Sequence, residues 1–138
     1  MSVRFDILTL FPEMIEGMLN QSILKRAIEK KIIEVNIINF RDFSTNKHST
    51  VDDYAYGGGA GMLISVEPIH LAMKTIPNID KAYKILTSPS GNVYNQNKAE
   101  KLSKLDHIVI VCGHYEGIDN RILDYIDEEI SIGDYVLT

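Results

Sequence analysis

His107-Ile108-Val109-Ile110-Val111-Cys112, followed at once by Gly113-His114-Tyr115-Glu116-Gly117-Ile118-Asp119, is the stretch on which the fold turns. Four β-branched apolar residues in a row leave no polar face. Such a run belongs to a strand covered on both sides, as in the middle of a parallel sheet. Gly113 ends it and opens a loop. His107, at the mouth of an apolar strand, reads as structural. Asp119 can cap a helix reaching about residue 127.

Working outward, residues 3–10 (VRFDILTL) form a second buried strand. A turn at Phe11-Pro12 follows, with Pro12 placed to open a helix. Over 22–31, Ile23, Leu24, Ala27 and Ile28 recur at helical spacing. Residues 33–40 are rich in β-branched side chains and read as a strand. Residues 41–61 are polar and glycine-rich, hence a long loop. Ser65 can cap a helix over 66–75, with Pro68 in its first turn. A short strand at 82–86, a turn at 87–93 and a helix from Asn95 to about Lys104 come next. Residues 129–132 make the last strand. Strands alternating with helices give an α/β fold, a three-layer sandwich around a mainly parallel sheet. Such sheets bind ligands at the carboxyl ends of their strands. That rule points to 86–91, to 113–118 and to the stretch after Ile132.

The 138 residues fit one domain, and no linker, repeat or low-complexity segment divides them. Apolar residues make up 45% and charged residues 24%, enough to fill a core and keep a polar surface. One cysteine, Cys112, excludes an intrachain disulfide framework and suits a reducing cytosol. No run of about 20 apolar residues crosses a membrane, and no signal peptide opens the chain. The net charge of −5 argues against coating nucleic acid by charge alone. Lys25, Arg26, Lys30 and Lys31, and separately Arg41, Lys47 and His48, form local basic groups, read first as solvated faces.

Asp52-Asp53-Tyr54-Ala55-Tyr56-Gly57-Gly58-Gly59-Ala60-Gly61 is no phosphate cradle. It matches neither G-x-x-x-x-G-K-[ST] nor G-x-G-x-x-G, and it does not directly follow a strand. Its glycines do let a backbone or a flat base come close. His48, His70, His107 and His114 have no metal spacing, and no metal site is identifiable. Glu128-Glu129 and Asp52-Asp53 are adjacent, so their side chains point apart rather than forming an acid pair.

Five segments in order carry a resemblance: Leu10-Phe11-Pro12-Glu13-Met14; Asp52-Asp53 through Gly57-Gly58-Gly59-Ala60-Gly61-Met62; Ser88-Pro89-Ser90-Gly91; Cys112 through Asp119; and Glu128-Glu129-Ile130-Ser131-Ile132-Gly133-Asp134-Tyr135-Val136-Leu137. Together they resemble the bacterial tRNA (guanine-N1)-methyltransferases, of the knotted SPOUT class. The resemblance runs from the first strand to the last residue. His114 stands where many members carry arginine, and Ser90 where many carry glutamine.

The resemblance implies a cytoplasmic homodimer with each active site at the subunit interface. The implied reaction moves a methyl group from S-adenosylmethionine to N1 of the guanine following the anticodon in tRNA. The implied cofactor slot uses Leu86, Thr87, Ser88, Pro89 and Gly91; Gly113 and Tyr115; and Ile132, Gly133, Asp134, Tyr135, Val136 and Leu137. Gly91, Gly113 and Gly133 would bring main chain close to the ligand. Glu116 would accept hydrogen bonds from guanine N1–H and the exocyclic amine. Gly58 and Gly59 would make room for the flipped base, and Arg41 and His48 would meet phosphates. Magnesium is associated with the family. Members continue beyond the position of Thr138 with the rest of the knot, a general-base aspartate and a helical tRNA-binding domain. For this chain alone the resemblance therefore implies an N-terminal cofactor-binding domain over 1–138, with an incomplete knot and no catalytic residue, inactive alone.

Two rival readings stand beside it. A doubly wound methyltransferase or other nucleotide-binding module would want a glycine-rich turn after the first strand, where this chain has Leu10-Phe11-Pro12-Glu13. A non-catalytic cofactor-binding or dimerisation fragment is compatible with the same motifs.

Overall fold

The computed structural model of the chain describes residues 2–44, 52–54, 62–113 and 118–131. Its strands are β1 (Val3–Thr9), β2 (Ile33–Asn39), β3 (Asp52–Tyr54), β4 (Met62–Ile64), β5 (Tyr83–Val93), β6 (His107–Cys112) and β7 (Glu128–Ser131). Its α-helices are α1 (Pro12–Leu19), α2 (Ser22–Glu29), α3 (Val66–Lys74) and α4 (Gln96–Leu102), with 3-10 turns at Phe40–Phe43, Ile79–Lys81 and Asn120–Tyr125. The main sheet has five strands in the order β2-β1-β6-β5-β7, and every neighbouring pair is parallel.

β6 lies in the middle, between β1 and β5, as its two-sided apolar run requires. Val109 and Val111 face one side, where they join Leu8, Phe40, Ile69, Ala72 and Met73 in a core under α3. Ile108 faces the other, with Ile85 and Ile130, under Leu102 and Leu105 from the end of α4. Helices on both faces make the sandwich three-layered. The crossovers from β1 to β2 and from β5 to β6 step the same way across the sheet. Right-handed connections therefore put α1, α2 and α4 on one face and α3 on the other.

Local chemistry sets the ends of the elements. Pro12 opens α1, with Glu13 in its first turn. The Asn95 side chain accepts the Lys98 backbone N–H at 2.9 Å and caps α4. α2 ends in a paired closure: Ile32 N–H donates to the Ala27 carbonyl at 2.9 Å and Lys31 N–H to that of Ile28 at 3.0 Å. That geometry needs a left-handed residue, and Lys31 supplies it at φ 60°.

Four readings of the sequence need correction. Ser65 stands at the N-cap of α3, but its side chain makes no capping bond. Residues 119–127 do not form an α-helix. They wind as a 3-10 turn over Asn120–Tyr125, in keeping with several weak helix formers there. Residues 41–61 are not one loop, because β3 and β4 pair antiparallel, with Asp52 opposite Ile64 and Tyr54 opposite Met62. The turn at 87–93 lies within a single long strand, β5, whose irregularity shapes the candidate site. The expectation of an incomplete knot bears on residues 132–138, which lie outside those described.

Candidate functional site at the strand ends

Thr87 and Gly113 meet at the carboxyl edge of the sheet. Thr87 lies beside Cys112 in the β5–β6 register. Its hydroxyl accepts the Gly113 N–H at 3.0 Å and reaches the Val111 carbonyl at 3.5 Å. The ends of two neighbouring strands are thereby closed on each other. A Cβ at Gly113 would stand 2.4 Å from the Thr87 carbonyl oxygen, so this residue must be glycine for the strands to meet.

The β5–β7 ladder breaks at the same level. Thr87 and Asn92 both register with Ile130, so residues 88–91 leave the ladder and return to it. Proline has no N–H to give a ladder, and Pro89 falls within this excursion. Its far end rests on β7, where a Cβ at Gly91 would lie 2.6 Å from both Glu129 C and Ile130 N. The two glycines thus answer to the protein's own backbone, a demand the sequence reading had attributed to a ligand. Leu86 is buried below the excursion, while Thr87, Ser88 and Gly91 are half-buried.

A second junction ties the glycine-rich segment to this edge. Ile64, at the base of the β3–β4 hairpin, forms a parallel bridge with Ile118. The Ile64 carbonyl accepts the Asp119 N–H at 3.0 Å. Hydrogen bonds from Arg121 hold the Asp119 carboxyl down to about 2. Gly58 and Gly59 therefore belong to a segment anchored two residues after Glu116. Gly58, Gly59, Glu116, Tyr115, His48, Ile132, Gly133, Asp134, Tyr135, Val136 and Leu137 themselves lie outside the described residues.

Arg41 is not brought to the junction. It is exposed at the end of β2, three strands from β5, or roughly 14 Å at ~4.8 Å per strand. Cys112 is half-buried beside Thr87, and burial pushes its thiol up to about 11. It stays protonated at neutral pH and is a poor nucleophile. Among the described residues no three His, Cys, Asp or Glu side chains gather as metal ligands, and no helix is long and apolar enough to cross a membrane.

Among the described residues, the most elaborate polar cluster is centred in the middle of β1 and reaches toward the amino ends of the strands; it was not read from the sequence. Asp6 is fully buried and accepts four hydrogen bonds: Arg4 Nε at 2.9 Å, Arg4 NH2 at 3.1 Å, Asn36 Nδ2 at 3.0 Å and His107 Nε2 at 2.6 Å. Burial pushes the Asp6 carboxyl up, but these donors outweigh it and hold it below the usual range. An ionised carboxylate only accepts, so His107 Nε2 carries the hydrogen. His107 is structural, as its place at the mouth of a strand suggested.

Comparison with known proteins agrees with the fold and the motifs. The family model described as tRNA (Guanine-1)-methyltransferase TrmD matches residues 3–138. Relatives called tRNA (guanine-N(1)-)-methyltransferase include one from Carboxydothermus hydrogenoformans, 56% identical over 137 residues, covering 99% of this chain and 54% of that protein. Another, from Metamycoplasma arthritidis, is 52% identical over 136 residues, covering 99% of this chain and 58% of that protein. The crystal structure of tRNA (m1G37) methyltransferase from Aquifex aeolicus superposes with a TM-score of 0.87 at 40% identity, over 99% of this chain and 62% of that one. The chain thus spans little more than half the length of these two sequence relatives. By sequence and by fold, it belongs to the tRNA (guanine-N1)-methyltransferase family.

Proposed function

We propose that this chain binds S-adenosylmethionine at the carboxyl edge of β5, β6 and β7 and presents its methyl group to N1 of the guanine following the anticodon in tRNA. The observation that carries the reading is the Thr87–Gly113 closure beside the 88–91 excursion. It supplies a backbone-rich edge at the strand ends where parallel sheets hold ligands. S-adenosylmethionine has no phosphate, which suits an edge without a glycine-rich strand-to-helix turn. Leu86, Thr87, Ser88, Pro89 and Gly91 form one wall of the slot. Gly113 and Tyr115 form the second, and Ile132, Gly133, Asp134, Tyr135, Val136 and Leu137 the third.

The cofactor supplies an electrophilic methyl group, and the chain's own work is placement. Glu116 accepts hydrogen bonds from guanine N1–H and the exocyclic amine, which orients the ring edge. The Ile64–Ile118 bridge supports a shared pocket, because it ties the hairpin bearing Gly58 and Gly59 to the segment bearing Glu116. Arg41 and His48 contact phosphate away from the slot. The site is completed across a homodimer. In support, Phe11, just before α1, and Met14 and Met18 on it are 45%, 64% and 57% exposed. The protein works in the cytoplasm, where its tRNA substrate is.

Calorimetric titration of S-adenosylhomocysteine into the chain tests the slot, with one site per subunit expected. No binding contradicts the slot assignment. Labelled S-adenosylmethionine with tRNA, given to a chain continued as in its relatives, tests the acceptor: label recovered as 1-methylguanosine is expected, and label in another nucleoside contradicts it.

A further inference from the structure

We propose that Lys98, Glu128 and Tyr83 form a positioning clamp that sets where β7 lies and, through it, where the 88–91 wall of the cofactor slot lies. The inference rests on the cofactor reading above and concerns residues outside those assigned to the slot.

β7 needs such a device. It has four residues, it is an edge strand of the main sheet, and β5 is its sheet neighbour. Its ladder with β5 is broken between Thr87 and Asn92. A short edge strand with an interrupted ladder is weakly held in register, and a one-residue slip would turn Ile130 out of the core. Apolar packing resists that slip mainly through Ile130.

Glu128 supplies the missing hold. Tyr83 Oη donates to its Oε1 at 2.5 Å, and Lys98 Nζ pairs with its Oε2. Both carboxylate oxygens are therefore engaged, one by β5 and one by α4. Glu128 and Lys98 keep only 11% and 20% of their side chains exposed, so solvent screens the pair weakly. The hydrogen bond to Glu128 pushes Tyr83 up to about 12. Burial pushes Glu128 up, but Lys98 and Tyr83 outweigh it and hold it down. Tyr83 thus keeps its proton and Glu128 its charge at neutral pH, the states in which the phenol donates to the carboxylate. Asp127 closes the start of the strand: its carboxylate accepts the Lys84 N–H at 2.8 Å and its own N–H donates to the Lys84 carbonyl at 2.8 Å.

The clamp reaches the slot through Gly91. The excursion rests on the backbone of Glu129 and Ile130, the two residues after Glu128, with no room even for a methyl group. A displacement of β7 must pass into 88–91 because packed backbones do not yield independently.

The test compares wild-type chain with Glu128→Gln, Tyr83→Phe and Lys98→Met, well below their melting temperatures. S-adenosylhomocysteine affinity and residue-resolved amide exchange are read together. Glu128→Gln is expected to weaken binding about tenfold, as loss of a charged hydrogen-bonded pair implies. Tyr83→Phe should weaken it less, and the Tyr83→Phe/Glu128→Gln pair less than additively. Lys98→Arg should restore what Lys98→Met loses. Amide exchange should quicken at Ile130, Ser131 and Tyr94 and stay unchanged in β1 and β6. Unchanged affinity in all three variants overturns the proposal, as does exchange that quickens equally across the sheet. If the wild-type chain binds no S-adenosylhomocysteine, the cofactor reading fails by itself. The clamp is then judged on exchange alone, where local quickening sustains it and uniform quickening overturns it.

Discussion

The two edges of the parallel sheet are built from different materials. Toward the amino ends of the strands, Asp6 at the middle of β1 gathers Arg4, Asn36 of β2 and His107 at the start of β6 into a set of side-chain hydrogen bonds. At the carboxyl edge, β5 and β6 are joined by one hydroxyl and a glycine amide, and β5 leaves its ladder over 88–91. In the first, both carboxylate oxygens of Asp6 are satisfied by neighbouring side chains. The second is made of backbone, held at close range and only half-buried. The most conspicuous buried charge therefore marks where the fold is fastened, and the plainer edge is where recognition is expected.

Substitutions that separate fastening from recognition test this contrast. The largest effect is expected from Asp6→Ala. It strands Arg4 and His107 beside a buried gap, and breaking such a pair costs about 3–5 kcal/mol. That is a large share of the ~5–15 kcal/mol that holds a domain together. Urea unfolding should show the loss, while the molecules that remain folded should bind S-adenosylhomocysteine with wild-type affinity. The same residue predicts the acid behaviour. The folded Asp6 carboxyl lies below its ordinary value of 3.8, so its contribution is complete above that pH. It drains away as pH falls through the folded value. Acid unfolding of Asp6→Asn should lack that component, and an unchanged acid transition would remove Asp6 from the account.

Gly113→Ala comes next and reverses the pattern. The added Cβ would have to move the Thr87 carbonyl, and overpacking of this kind costs about 1–3 kcal/mol. Binding should be lost although the chain stays folded by circular dichroism. Thr87→Val removes the hydroxyl that closes the two strands, for about 1 kcal/mol of stability. Its affinity loss should exceed what that stability change alone would produce. The smallest effect is a gain: Lys31→Gly relieves a left-handed residue at the amino edge. It should raise stability by up to ~1 kcal/mol, with binding untouched.

The sheet was legible because its signals are local. The two-sided apolar run at His107–Cys112, Pro12 at the start of α1 and Asn95 at the start of α4 each act within a few residues. The strand-end rule points to 86–91, 113–118 and the stretch after Ile132, and Thr87 and Gly113 meet where the first two of these begin. What escaped was long-range. The three partners of Asp6 lie up to 101 residues from it, and nothing in an aspartate within an apolar strand names its partners. Ser88-Pro89-Ser90-Gly91 carries turn residues, and only the register with β7 shows that they form an excursion within one strand. Glu128-Glu129 looked like an idle acidic pair until Tyr83 and Lys98 were seen against the first of them. The β3–β4 hairpin was hidden because its strands have three residues each.

The central claim is that recognition belongs to the carboxyl edge and fastening to the amino edge. Amide chemical shifts of the wild-type chain, followed during titration with S-adenosylhomocysteine, test it most directly. Saturable shifts at Thr87, Gly91 and Gly113, with Arg4, Asp6, Asn36 and His107 unmoved, are the predicted result. Saturable shifts centred on the Asp6 cluster, or none at either edge, would contradict it.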